Sequence, residues 1–532
     1  MVEPSNKSQV LFEKAVRALN KGDLDQAARA ASRLTKREPR STDAWQLRSL
    51  IAQNQGAHSD SEKHLKRLLK LNPDDAGAWN NLGNAHRERG QFRQARDAYL
   101  RSLKIRADDI PTLMNVGDVY RELREFDEAV KIYERILQLS PDLYEALLNF
   151  ASVWVRMREF DAALKVYKHL LELGYENTDT LKGLYQCLVL TGQIQDGYGT
   201  LRRLLELSDH DPEFLVAGSI LLLLMGRWQE GWEAYAERWR WKPNEARPFS
   251  QPWWQGEDIH DRTLLVWGEQ GLGDEIMYAS MVPDLVNKGL NVVLECDARL
   301  VGLFSQSFLE VTCVASKSIP DPIAVEADLQ VPSPALGQWF RCDESDFHSG
   351  RPFLRVDDMA VTEIRQRYND QFGEGALIGI SWRSENPEIG SDKSIPLDDL
   401  YPILSVSGAT FVNLQYGETV AERQSFADDY GVMLHHDISI DPVVDVLQHA
   451  EQIAAMDLII SISTSAVHLA GALGIPTWVI VQKTPDRRWL MDREDCPWYS
   501  SVRLFRQARQ GSWDEPIARV SHALEAFVHR NR

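Results

Sequence analysis

The chain is short of cysteine and short of positive charge. Five cysteines stand among 532 residues, at Cys187, Cys296, Cys313, Cys342 and Cys496. None forms a CxxC pair, so the usual spacing for a zinc site or a redox dithiol is missing. An odd, scattered set of thiols suits a reducing compartment, and the expected location is the cytoplasm. Lys and Arg total 59 against 78 Asp and Glu, a formal net charge of −19. That deficit disfavours a grip on nucleic acid or on an anionic membrane surface, which needs clustered cations. Long apolar runs are missing too. The nearest, residues 215–225, is too short to cross a bilayer and reads as a buried helix, so no transmembrane segment is expected. Met1-Val2-Glu3-Pro4-Ser5 lacks the apolar core of a signal peptide.

What the first half does have is a period of 34 residues. Trp45 and Trp79 begin one ladder, continued by Leu113, Leu147 and Leu181. Gly22, Gly56 and Gly90 form a second, and Pro39, Pro73 and Pro141 a third. Ala27, Ala95, Ala129 and Ala163 form a fourth, Tyr99, Tyr133 and Tyr167 a fifth. Trp79, Leu82, Gly83 and His86 share one helical face. Gly90 then turns the chain, and Phe92, Ala95, Tyr99 and Leu103 mark a second helix. The pattern resembles the tetratricopeptide repeat, with about seven units between roughly residues 8 and 245. Such an array winds into a superhelix with a groove, which reads as a platform for a peptide or protein partner, or as a spacer or dimerisation surface.

After residue 245 the period changes. Gln251-Pro252-Trp253-Trp254 reads as a linker that packs against something. Expected strands at 263–267, 291–296, 328–331, 376–381, 410–414, 458–461 and 477–481 alternate with helical stretches, which predicts parallel sheets in two Rossmann-like lobes. Residues 357–375 are the expected crossing between them. Ligands in such sheets sit beyond the carboxyl ends of the strands.

Four motifs fall at those ends. The first is Gly268-Glu269-Gln270-Gly271-Leu272-Gly273-Asp274-Glu275. Gly271 and Gly273 permit close approach or a positive φ, and Asp274 either points into the cleft or caps the following helix. The second, Ser381-Trp382-Arg383-Ser384 with Lys393 beyond it, offers Arg383 and Lys393 to neutralise a diphosphate, or simply as solvated surface cations. In the third, Gln415 follows a strand and stands ready to hydrogen-bond a nucleotide or sugar. The fourth, Ser461-Ile462-Ser463-Thr464-Ser465-Ala466-Val467-His468, ends a strand in hydroxyls and starts a small-residue helix. Thr464, Ser465 and His468 are placed to meet a phosphate there, the alternative being a capped helix with a buried histidine.

Taken together with Thr484-Pro485-Asp486-Arg487-Arg488-Trp489-Leu490 and Pro497-Trp498-Tyr499, these motifs resemble bacterial proteins in which tetratricopeptide repeats are fused to a domain similar to the ADP-heptose:lipopolysaccharide heptosyltransferases. The resemblance covers essentially the whole chain. It implies an α-solenoid at residues 1–245 followed by an α/β domain of GT-B fold, with an acceptor lobe at 246–365 and a nucleotide-sugar lobe at 366–532. It also implies metal-independent inverting transfer, with a nucleotide-sugar as co-substrate and no other cofactor. No Asp-x-Asp metal motif occurs in the α/β half. By the same likeness Asp274 matches the catalytic base, and Lys393, Thr464, Ser465 and His468 match the donor side. One departure is Ser463, where the family often has an Asp that helps hold the donor sugar.

The expected function is therefore sugar transfer to an acceptor presented by the repeats, a protein Ser or Thr hydroxyl such as one on flagellin. A second reading is a non-catalytic adaptor with a degenerate transferase domain, favoured by Ser463. A third is a lipopolysaccharide or glycan transferase whose repeats serve oligomerisation or localisation.

Overall fold

The computed structural model describes residues 6–241, 247, 249–259, 261–316, 326–386 and 390–530. The chain divides into two compact units, Met1–Cys187 and Leu188–Arg532. Among the described residues, fourteen consecutive helices run from Asn6 to Tyr235 in seven successive pairs.

The 34-residue ladders account for the pairs. Gly22, Gly56, Gly90, Arg124, Arg158, Gly192 and Gly226 follow one another at that interval, and all seven have φ between 59° and 80°. Glycine enters this region without a Cβ penalty. Arg124 and Arg158 hold it at a cost of roughly 1–2 kcal/mol each. A capping ladder runs at the same interval. The side chains of Ser41, Asp75 and Asp109 each accept from a backbone N–H three residues on, at 3.2, 2.9 and 3.2 Å. Asn177 repeats the bond at 3.0 Å. Each satisfies a helix-end donor that would otherwise lack a partner. The tryptophan and proline ladders meet: Trp45 Nε1 donates to the Pro39 carbonyl at 3.0 Å, and Trp79 Nε1 to that of Pro73 at 2.8 Å. The tyrosine ladder packs over glycine. A Cβ on Gly83 would come within 2.4 Å of the Tyr99 ring, and one on Gly117 within 2.7 Å of Tyr133.

One face of these repeats carries polar rungs that bond to each other. Arg87 donates to Asn115 at 3.0 Å, and Asn115 to Asn80 at 3.0 Å. One repeat later, Arg121 donates to Asn149 at 3.2 Å, and Asn149 to Asp118 at 3.2 Å.

The second unit contains two wholly parallel sheets. The first has the order β3-β2-β1-β4, from β1 (Thr263–Trp267), β2 (Asn291–Cys296), β3 (Thr312–Ala315) and β4 (Leu329–Pro332). The second has the order β6-β5-β7-β8-β9, from β5 (Ala376–Ser381), β6 (Ala409–Asn413), β7 (Leu458–Ile462), β8 (Thr477–Val481) and β9 (Val502–Arg506). Their central strands are buried along nearly their whole length, as sheets covered on both faces require. Helix Asp358–Phe372 joins the lobes. The expected break between residues 365 and 366 falls inside it.

The expected junction at 245/246 lies outside the described residues, and the division into compact units comes earlier, after Cys187. The reason is packing. Helix α1 (Trp228–Tyr235) faces the α/β core rather than another repeat. Trp232 is 2% exposed, donates to the Arg341 carbonyl at 3.0 Å and meets the Tyr278 ring edge-on at 6.3 Å. Trp228 packs on Phe347 at 4.6 Å. The linker tryptophan Trp254 is buried as well. Its backbone N–H donates to Gln330 on β4, and its ring lies 4.6 Å from that of Trp339.

Candidate functional site

The carboxyl ends of the two sheets face a cavity of about 720 Å³, lined by Asp274, Lys393, Ser465 and Arg488 among others. Each wall follows from local sequence. On one side, β1 runs into Gly268, and helix α2 (Leu272–Ala279) starts at an N-cap Gly271. Gly271 has φ −106°, so the left-handed residue of this turn is Gln270, at φ 70°. The Gln270 amide is held on the Tyr235 hydroxyl. Gly273 serves close approach instead: a Cβ there would lie 2.7 Å from His468 Cδ2. Asp274 is in the first turn of α2, not at its N-cap, where the helix dipole favours an anion.

On the other side, β7 ends at Ile462, and helix α3 (Ser465–Leu473) follows with Thr464 as N-cap. The Thr464 hydroxyl does not cap the helix. It lies 3.2 Å from Ser461 Oγ and 3.5 Å from Ser381 Oγ. The first N–H groups of α3 thus have no side-chain cap, the arrangement that favours a bound anion. Lys393 Nζ donates to the Ser463 carbonyl at 3.0 Å. Its pKa is lowered by burial and then by Arg488. Trp489 Nε1 donates to Ser463 Oγ at 2.9 Å, so the hydroxyl at this position holds an indole.

Arg488 sits between these walls. Its Nη2 donates to Asp274 Oδ1 at 2.9 Å, its Nε to Asp486 Oδ1 at 2.8 Å, and its Nη1 to His468 Nε2 at 2.9 Å. An arginine only donates, so Nε2 of His468 accepts and Nδ1 carries the proton, which it gives to the Tyr499 hydroxyl at 2.9 Å. Burial and the Arg488 charge drive the His468 pKa well below its usual range, which keeps the ring neutral. Burial opposes ionisation of Asp486, but Arg488 and Arg487 outweigh it and hold that carboxyl well below the carboxylate range. Tyr499 reaches His468 because Gly471 leaves room: a Cβ there would lie 2.5 Å from the Tyr499 ring. Arg487 donates to the Tyr278 hydroxyl at 2.7 Å, a second bond from the β8 side of the cleft to α2.

The structure therefore brings Asp274, Gly271, Gly273, Lys393, Thr464, Ser465 and His468 together around one cavity. His468 does not face a ligand as a free donor, because Arg488 and Tyr499 occupy both ring nitrogens. Two expected donor-binding residues stand apart. Gln415 is 2% exposed and is used internally. Its Oε1 accepts from Ser381 Oγ, Trp382 N and Arg383 N, and its Nε2 donates to the Tyr416 carbonyl. Arg383 turns to the Glu418 carbonyl and lies 3.6 Å from Glu422. Arg488, Asp486 and Trp489 are the residues that single-motif reading passed over. The signal was a charged triplet just beyond β8, at the carboxyl end of a central strand. Among the described residues, no three His, Cys, Asp or Glu side chains are placed to hold a metal ion.

Next to Asp274, Glu275 turns away from the cavity toward Gly268 and accepts from Asp297 N at 2.8 Å. Burial, aided by Asp297 and Glu295 and opposed by that bond, raises its pKa from 4.5 to about 7. The folded state then binds a proton that the unfolded state releases, so stability falls as pH rises from about 4.5 to 7. Glu275→Gln is expected to flatten that slope and to raise stability above pH 7, read from urea midpoints between pH 4 and 8. Unchanged slopes would remove Glu275 as the titrating group.

The tetratricopeptide-repeat family matches residues 12–62 and 47–110 with one profile and 120–175 with another. The chain is 32% identical over 320 residues to Protein FlbA of Caulobacter vibrioides, covering 56% of this chain. It spans about half of that relative, 52% of its length. Among solved structures, the MamA protein is 23% identical with a TM-score of 0.31, over 33% of this chain and 98% of MamA. A tetratricopeptide repeat protein from Parabacteroides merdae is 17% identical with a TM-score of 0.37, over 45% of this chain and 94% of its own. The repeats are elements of protein interaction. Among the described residues, no helix is long and apolar enough to cross a membrane.

Proposed function

We propose that the chain is a glycosyltransferase of the GT-B kind that moves a sugar from a nucleotide-sugar to an acceptor hydroxyl, the acceptor being a protein held by the repeats. The observation that carries this is one cavity with a carboxylate, Asp274, on one wall and Lys393 with the uncapped start of α3 on the other. Asp274 Oδ2 has no protein hydrogen-bond partner among the described residues. That oxygen takes the proton of the acceptor hydroxyl as its oxygen attacks the anomeric carbon. The bond from that carbon to the diphosphate oxygen breaks, and the leaving nucleoside diphosphate carries away the electron pair. Lys393, Arg488 and the first N–H groups of α3 meet the charge it develops. The resemblance to heptosyltransferases supports the assignment of walls, and the repeat array supports a polypeptide acceptor such as a Ser or Thr side chain.

The adaptor reading draws on Ser463, which holds Trp489 where the resembled family keeps a sugar-binding acid. A titration with nucleoside diphosphates and nucleotide-sugars separates the two. One nucleotide class is expected to stabilise the fold, by about 2.7 kcal/mol at a hundredfold excess over Kd. Lys393→Ala is expected to weaken binding at least tenfold, as loss of a charge-assisted contact does. A folded chain that none of them stabilises would make the α/β unit a scaffold.

A further inference from the structure

Among the described residues, Arg488 is the only cation bonded to Asp274, and it reaches that residue across the cleft from the loop after β8. The pair is largely shielded, with side-chain exposures of 13% and 17%. Lys393, by contrast, bonds a carbonyl and has no ion-pair partner among the described residues. Arg487 leans on the Tyr278 hydroxyl and the Tyr235 ring. Arg299, Lys393 and Arg488 line the cavity with four carboxylates, and Arg488 serves two of these, Asp274 and Asp486. Each terminal nitrogen of Arg488 carries a second N–H with no acceptor among the described residues, and the side chain lines the cavity.

We infer that Asp274 and an incoming diphosphate compete for Arg488, so that filling the anion subsite releases the carboxylate and makes donor binding precede acceptor activation. This rests on the anion subsite of the transferase reading. Before an anion arrives, the bond from Arg488 to Oδ1 fixes the orientation of the Asp274 carboxylate, and with it that of Oδ2. A diphosphate beside Lys393 offers the guanidinium oxygens of higher charge in the planar, forked geometry that Arg favours. As Arg488 turns to it, Asp274 is freed on the wall where the acceptor hydroxyl must sit. His468 and Asp486 keep the arginine in place during the exchange, because their bonds hold its other nitrogens. They are positioning residues.

Inorganic pyrophosphate tests this by isothermal titration of the full chain, its D274N and R488Q variants, and the double variant. D274N keeps a side-chain oxygen for Arg488 but removes the charge, and is expected to bind pyrophosphate about tenfold tighter than the native chain, the scale of coupling between close charge pairs. R488Q is expected to bind at least tenfold more weakly. In the R488Q background, D274N is expected to make no difference, because the competition needs the arginine. A gain that persists there would mean plain repulsion between Asp274 and the anion, and would overturn the inference. So would equal or weaker binding by D274N alone, with the anion subsite itself left standing. No pyrophosphate binding by either the native chain or D274N would bring down the inference and the transferase reading together. If R488Q does not fold, R488K keeps the charge without the fork, and the D274N gain must then shrink to less than half.

Discussion

Asp274→Asn is expected to lower kcat by about 10²- to 10⁴-fold, the usual contribution of a positioned base, while nucleotide binding is not weakened. The split is the informative part. Among the described residues, Asp274 bonds no proposed phosphate contact except Arg488, so removing its charge takes nothing from the donor subsite. An asparagine oxygen still accepts from Arg488 Nη2, so the cleft keeps its form. What is lost is the Oδ2 lone pair that receives the acceptor proton. Two nearby acids are turned elsewhere. Glu275 faces Gly268 and Asp297, and Asp486 is held by Arg488 on the opposite wall. Single-turnover transfer, with the donor class found by titration, measures the step directly. A variant that retains half of the native rate would mean that Asp274 does not take the proton.

The repeats were legible because each ladder repeats one physical demand: a left-handed turn, a cap or a glycine under a tyrosine. Only the substitution of arginine for glycine at 124 and 158 hides a step, and the flanking ladders carry the register past it. Strands β1, β2, β5 and β8 were legible at their bounds, since buried parallel strands read as short apolar runs between turn signals. Strand β3 was not expected, being four residues on an edge with only partial burial. Strand β9, also an edge, was passed over because Arg503 and Arg506 break the apolar run. At the site, sequence marks where strands end but not which way a polar side chain turns. Gln415 and Thr464 both follow strands, yet Gln415 faces inward to fasten three backbone and hydroxyl donors. Arg488 meets Asp274 across 214 positions, and no local pattern encodes a partner at that distance. Both departures concern tertiary partners, not chemistry type.

The largest stability effect is expected at Trp232, a residue that the 34-residue period assigns to the repeats. Trp232→Ala is expected to cost about 3–5 kcal/mol, the range for a fully buried tryptophan. The indole fills the space over Gly337, where a Cβ would lie 2.4 Å from the ring, and that glycine is what admits it. Its removal opens a cavity against Tyr278 and Gly337 and leaves the Arg341 carbonyl without its donor. The loss is therefore expected to appear in β1 and β4, whose connections carry these partners, as faster amide exchange together with a lower urea midpoint. Trp79→Ala makes the comparison. Its ring is only half-buried on the first unit, so its cost is expected to be smaller and its effect on β1 exchange nil. If Trp232→Ala costs less than about 1 kcal/mol, a surface-like value, then α1 merely rests on the sheet, and the helices before residue 245 belong with the repeats as their period suggests. A full-sized loss in β1 and β4 means that the period outlasts the repeat unit: its last copy has become part of the core that carries Asp274.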